Sequence, residues 1–291
     1  MLRALTHLSA LTAAAVLTAT AGSATAAAAE PAVRASYVAL GDSFTSGAFL
    51  PTRPTPCARA VHNYPTLVAE AMSPRSFDDV SCGGAATADM TRSQFPGTSP
   101  QFDALASDTT LVSVSIGGND VPFAEVVAVC GFEGMTHQVG SPCKDLYQRD
   151  GRDELADRIR TVGGRIGTVL DGIHQHAPHA TVLVIGYPVL MPDSGPGCWP
   201  RVPLAEGDQP YLRDLVKLMN RVMADQAAQH DAAFVDTYTS SIGHDWCKAP
   251  GVAWMEGPIP ASPTAPVHPN ALGARNQADQ IIAALRHPAT R

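Results

Sequence analysis

The chain has 291 residues, of which 45% are hydrophobic and 16% charged, which is too apolar for a disordered polymer and enough chain for a full core. Its formal net charge of -7 argues against nucleic acid as a partner and supplies no polybasic handle for anionic membranes. An acidic balance does not exclude a lipid substrate, because a pocket for acyl chains is apolar rather than charged.

Read from the start, Met1-Leu2-Arg3 supplies a positive end, Leu8 to Thr20 is an apolar run, and Ala-x-Ala spacing continues to Ala29. That is the layout of a secretory signal peptide over residues 1–30. The truly apolar part is only about a dozen residues, short of the ~20 that span a bilayer. Residues 31–291 read as one domain, because no linker-like stretch divides them. Export also suits the cysteines Cys57, Cys82, Cys130, Cys143, Cys198 and Cys247, an even number. No close pair suggests a metal, and spacing alone leaves all ~15 disulfide pairings open.

The first strand is Tyr37-Val38-Ala39-Leu40, ended by Gly41. A helix follows from about Pro65 to Met72, then a strand over Phe77 to Ser81. Leu111 to Ile116 is a third strand, stopped by Gly117-Gly118. Leu155, Ile159, Val162, Ile166, Val169 and Ile173 recur at helical spacing and predict a long helix with one apolar stripe. Thr181 to Ile185 is a fourth strand. Leu212, Leu215, Met219 and Val222 mark another helix, Ala233 to Asp236 a fifth strand, and Asn270 to Leu285 a last helix. Phe49 to Asn63, Gly131 to Gln148 and Met191 to Gln209 read as irregular. His174, His176 and His179 sit near a helix end, where a solvated last turn explains them better than a metal.

Strands alternating with helices predict an α/β fold with parallel strands. Near-continuous apolar strands are covered on both faces, which predicts a three-layer α/β/α sandwich around a mostly parallel, five-stranded sheet. Ligands of such sheets bind at the carboxyl ends of the strands. Two Gly-marked strand ends are therefore of interest, Gly41-Asp42-Ser43 and Gly117-Gly118-Asn119-Asp120. Acyl transfer needs a nucleophile, a base and donors aimed at an oxyanion. Gly-Asp-Ser alone is a common turn or helix cap.

Four blocks in order are more specific: Gly41-Asp42-Ser43, Cys82-Gly83-Gly84-Ala85, Gly117-Gly118-Asn119-Asp120, and Val267-His268-Pro269-Asn270 followed by Gly273. Together they resemble the SGNH, or GDSL, family of esterases and lipases, and most of all its secreted actinobacterial members. The resemblance implies the flavodoxin-like SGNH hydrolase fold. It implies Ser43 as nucleophile, His268 as general base, and an oxyanion hole from the N–H groups of Ser43 and Gly84 and the Asn119 amide. The sequence departs from the common pattern at Ala265, where many members carry Asp three residues before the His. A Ser43–His268 dyad is then expected, with the carbonyl of Ala265 or Pro266 accepting the other ring N–H; Asp42 or Asp236 is the alternative partner. The resemblance also implies sequential disulfides: Cys57 with Cys82, Cys130 with Cys143, and Cys198 with Cys247.

No Gly-x-Ser-x-Gly elbow and no phosphate loop occur, which disfavours an α/β-hydrolase and a nucleotide enzyme. The expectation is a secreted, monomeric serine esterase or lipase without metal or cofactor. Its substrate would be a lipid or small-molecule ester, triacylglycerol first, with Phe44, Ala48, Phe49 and Leu50 as candidate acyl-pocket residues. Phospholipase A or acyltransferase chemistry on the same site is the nearest alternative. A catalytically silent binding module is the alternative of another class.

Overall fold

The computed structural model describes residues 34–48, 51–53 and 55–287. The expected signal segment 1–30, Phe49 and Leu50 lie outside the described residues. The elements run β1 (Ser36–Gly41), α1 (Ser43–Ser46), α2 (Tyr64–Met72), β2 (Ser76–Asp79), β3 (Leu111–Ser115), α3 (Phe123–Thr136) and α4 (Pro142–Tyr147). A two-residue antiparallel hairpin, β4 (Gln148–Arg149) and β5 (Arg152–Asp153), leads into α5 (Glu154–His176). Then come β6 (Thr181–Ile185), α6 (Asp208–Gln229), β7 (Ala233–Val235) and α7 (Ala271–Arg286).

Five strands form one sheet in the order β2-β1-β3-β6-β7, every pairing parallel. Parallel strands need crossovers, and the helices between them bury both faces. Val38, Leu40, Val112, Val114, Val182 and Val184 point toward the stripe of α5 and α6, led by Ile159, Ile166, Leu212 and Met219. The intervening Tyr37, Ala39, Leu111, Leu183 and Ile185 pack on α2 and α7 through Val68, Ala278 and Ile281. Two-residue alternation between two covered faces is why these strands read as continuous apolar runs. Chain order reverses between β1 and β3, so a crevice opens there at the carboxyl ends.

The five predicted strands and the helices α2, α5, α6 and α7 are present, with ends moved by a few residues. The predicted irregular stretch Gly131 to Gln148 is corrected. Residues Phe123–Thr136 are helix α3 and Pro142–Tyr147 helix α4. Gly131 and Gly134 suggested a loop, but Gly134 is a packing contact: a Cβ there would run into the Pro203 carbonyl. Disulfides join Cys57 to Cys82, Cys130 to Cys143 and Cys198 to Cys247. The second links α3 to α4, and the first ties the loop after β2 to the segment after α1. Among the described residues, no helix is long and apolar enough to cross a membrane.

Candidate active site

Residues from opposite ends of the chain meet above the β1–β3 crevice. Ser43 opens α1 directly after β1, in a tight turn that Gly41 (φ +142) makes possible: a Cβ there would lie 2.5 Å from the Ser115 carbonyl oxygen. Asp42 caps the turn, its Oδ1 accepting from the Phe44 N–H at 2.9 Å. The Ser43 hydroxyl lies 2.7 Å from His268 Nε2, although 225 residues separate them. His268 Nδ1 lies 2.7 Å from the Pro266 carbonyl oxygen. With Nδ1 protonated toward that carbonyl, Nε2 is the free acceptor facing the serine.

The His268 loop is pinned on several sides. The Ala48 carbonyl, just past α1, accepts from the Ala265 N–H at 3.2 Å and from Thr264 Oγ1 at 2.9 Å, so the two ends of the site share a tie. The Glu256 N–H donates to the His268 carbonyl at 3.0 Å. Val267, β-branched and at φ +63, is held in the left-handed region, a strained conformation that its surroundings impose. Phe44 lies against the imidazole, ring centroids 5.1 Å apart. Burial lowers the His268 pKa below its ordinary value, and the bond to the Pro266 carbonyl partly restores it.

Neither alternative carboxylate reaches His268. Asp42 bonds Phe44 and, at 2.6 Å, the Tyr187 hydroxyl, while Asp236 caps the turn at Tyr238 and Thr239. Of the two candidate carbonyls, Pro266 faces the ring; Ala265 is tied to Ala48 through its N–H. Burial pushes the Asp42 carboxyl up to about 7, against the Tyr187 and Phe44 hydrogen bonds that pull it down.

Asn119, in the turn after β3, lines the same pocket as Ser43 and His268. One of its two amide hydrogens goes to the Ala85 carbonyl at 2.8 Å, leaving the other for a ligand. Gly84 adopts φ +79 in the neighbouring turn, but it does not itself line the pocket; Ala85 connects its turn to Asn119. Asp120, whose side chain is 3% exposed, fastens the two turns together. It accepts from the Thr87 N–H at 2.9 Å, from Thr87 Oγ1 at 2.6 Å and from Arg165 at 3.2 Å. Tyr187 does similar work from just past β6: its hydroxyl accepts from the Gly118 N–H at 2.9 Å and donates to Asp42. Sequence reasoning gave neither Asp120 nor Tyr187 a role, since both act through partners 33 or more positions away.

The pocket encloses a narrow cavity of about 70 Å³ beneath a wider open mouth. From Ser43 its wall runs over Phe44, Val121, Phe123, Ile159, Leu190 and Met219, toward the core between α5 and α6. Of the proposed acyl-pocket residues, Phe44 lines it; Ala48 is instead buried in the tie to the His loop. Among the described residues, no three His, Cys, Asp or Glu side chains gather as a metal site.

Comparison with known proteins gives the family. Residues 39–275 match the model of the GDSL-like lipase/acylhydrolase family. The chain is 41% identical over 255 residues to Lipase 2 of Streptomyces coelicolor, covering 86% of this chain and 85% of that protein. Among solved structures, a phospholipase A1 from Streptomyces albidoflavus NA297 superposes with a TM-score of 0.71 at 30% identity, over 86% of this chain and 99% of that one. An extracellular lipase from Streptomyces rimosus does so with a TM-score of 0.68 at 29% identity, again over 86% and 99%. The crevice at the β1–β3 switch, the four ordered sequence blocks and these relatives lead to one conclusion: the chain belongs to the GDSL-like lipase/acylhydrolase family and is a carboxylic ester hydrolase.

Proposed function

We propose that the chain is a secreted serine lipase that cleaves medium- and long-chain acyl esters, triacylglycerols first, through an acyl-enzyme on Ser43. The observation that supports this most is the 2.7 Å contact between Ser43 Oγ and His268 Nε2, with Nδ1 of the same ring on the Pro266 carbonyl. Such a contact lets the imidazole take the hydroxyl proton as Oγ bonds to the ester carbonyl carbon. The carbonyl oxygen becomes an oxyanion, held by the free Asn119 N–H and by the backbone N–H groups of Ser43 and Gly84. His268 then gives its proton to the alcohol oxygen as that bond breaks, leaving Ser43 acylated. Water repeats the sequence: His268 takes its proton, the hydroxide oxygen bonds to the acyl carbon, and the Ser43 oxygen leaves with the proton.

A carbonyl fixes the imidazole tautomer but brings no full negative charge to the imidazolium that forms. The lowered His268 pKa fits this, because no carboxylate raises it. The apolar lining, which continues from Phe44 to Ile159 and Met219 of the core helices, supports acyl chains longer than acetate. Secretion rests on the signal-like residues 1–30 and on the extracellular relative. Phospholipid acyl esters are the second reading, favoured by the phospholipase A1 relative.

The test is a chain-length panel of nitrophenyl esters, trioctanoin and phosphatidylcholine, given to wild type and Ser43→Ala. The expected result is highest kcat/KM for chains longer than acetate, and loss of all activity in a folded Ser43→Ala protein. A Ser43→Ala protein that still turns over these esters overturns the mechanism; acetate as best substrate overturns the chain-length reading.

A further inference from the structure

Helix α3 begins in the pocket and ends on the surface. Phe123 and Ala124 line the pocket, while Val126, Val127, Cys130 and Gly134 face the core. The opposite side presents Ala124, Ala128, Phe132 and Met135, spaced i, i+4, i+8 and i+11 and so lying on one helical stripe. All four are exposed; Phe132 and Met135 keep 64% and 58% of their surface in water, and Val139 just beyond the helix keeps 76%. Leaving this much apolar side chain wet along one line is unfavourable unless something covers it.

Two observations say what covers it. The stripe is continuous with the acyl pocket, because Ala124 belongs to both. Its charge is also one-sided: from Asp120 to Cys143 there is no Lys or Arg, and Glu125 and Glu133 are on the helix itself. An anionic surface would be repelled there, and an uncharged one would not. The Cys130–Cys143 disulfide fixes α3 to α4, which favours a rigid platform over a moving lid.

We propose that the α3 stripe docks on the surface of a neutral lipid aggregate, a droplet of uncharged acylglycerol, so that acyl chains pass along it into the pocket. This rests on the lipase reading above and adds where the lipid lies.

The experiment measures adsorption and catalysis separately. Wild type, the double variant Phe132→Ser/Met135→Ser and the control Ile242→Ser, an exposed apolar residue on another part of the surface, are floated with trioctanoin droplets. They are then assayed on nitrophenyl butyrate in free solution. The expected result is that wild type and Ile242→Ser float at both low and 1 M salt. The double variant should lose about tenfold or more in droplet affinity and in emulsion rate, because two large apolar side chains no longer leave water. Its rate on dissolved nitrophenyl butyrate and its melting temperature should stay unchanged. Equal flotation of the double variant and wild type overturns the proposal, as does flotation that salt abolishes. A wild-type dimer in solution that the double variant breaks would assign the stripe to a second copy and overturn it too. Flotation is read without turnover, so a failure of the catalytic reading would leave this result standing by itself.

Discussion

Replacing Asp120 by Asn tests whether the two turns that carry the proposed oxyanion donors are held by one buried carboxylate. The Asp120 side chain is 3% exposed and accepts from Thr87 twice, at 2.9 and 2.6 Å, and from Arg165 once, at 3.2 Å. The Arg165 partner is 57% exposed, so water screens that pair and it contributes little. The two Thr87 bonds are made to a buried charge, each in the range of ~1.5–3 kcal/mol. An Asn amide can keep its oxygen on the Thr87 N–H and donate its NH2 to the Thr87 hydroxyl, which turns to accept, so both bonds lose their charge, at about 1 kcal/mol each. With ~2 kcal/mol lost, the melting temperature should fall by roughly 4–8 °C, at ~2–4 °C per kcal/mol for a domain of this size. The Gly84–Thr87 turn would also drift from Asn119, lowering kcat by about tenfold or more with KM little changed, since the interaction matters most as charge develops. Thr87→Val, which removes only the hydroxyl bond, should show a smaller effect of the same kind, and the double variant should lose less than the sum. The assays are thermal melting and steady-state kinetics on a soluble ester. An Asp120→Asn enzyme with unchanged kcat and melting temperature would refute the reasoning. So would one whose whole loss lies in KM.

Other outcomes follow from the same geometry. His268 must be neutral to take a proton, and burial holds its pKa below 6.5; activity should rise with pH through an acid limb whose midpoint lies below that value, read as kcat/KM against pH. Asp42 has its folded pKa raised from 3.8 to about 7, so the stability it confers as a protonated group is full below pH ~4 and is lost as pH rises through about 7. The shift is worth on the order of 4 kcal/mol. The melting temperature of wild type relative to Asp42→Asn should therefore drop between pH 4 and 8, and a flat difference would argue that Asp42 is ionised throughout. Gly41→Ala puts a Cβ 2.5 Å from the Ser115 carbonyl oxygen in a backbone region closed to alanine; destabilisation of ~2 kcal/mol or more is expected in denaturant titration, with loss of activity.

How much of this could be read beforehand depended on the range of the interactions. The strands declared themselves because both faces are covered, and α5 because its stripe meets the sheet over more than twenty residues. Helix α3 hid behind Gly131 and Gly134, and the role of Gly134 is the close approach of the Pro203 backbone, a contact nearly seventy positions distant in sequence. Ser43, Asn119 and His268 were legible through the order of their sequence blocks; propensity and spacing alone would have left them as turn residues. Which carbonyl faces His268 was not legible, because Ala265 and Pro266 differ only in the turn that the Ala48 tie imposes. The Asp120–Thr87 clasp and the Asp42–Tyr187–Gly118 chain join turns from different strands, and no local pattern announces them.

The most direct measurement is covalent capture with a fluorophosphonate, followed by peptide mass spectrometry. One adduct on Ser43 is predicted, formed rapidly by wild type and orders of magnitude more slowly by His268→Ala. An adduct on another residue, or labelling of Ser43 at an unchanged rate without the imidazole, would contradict the account.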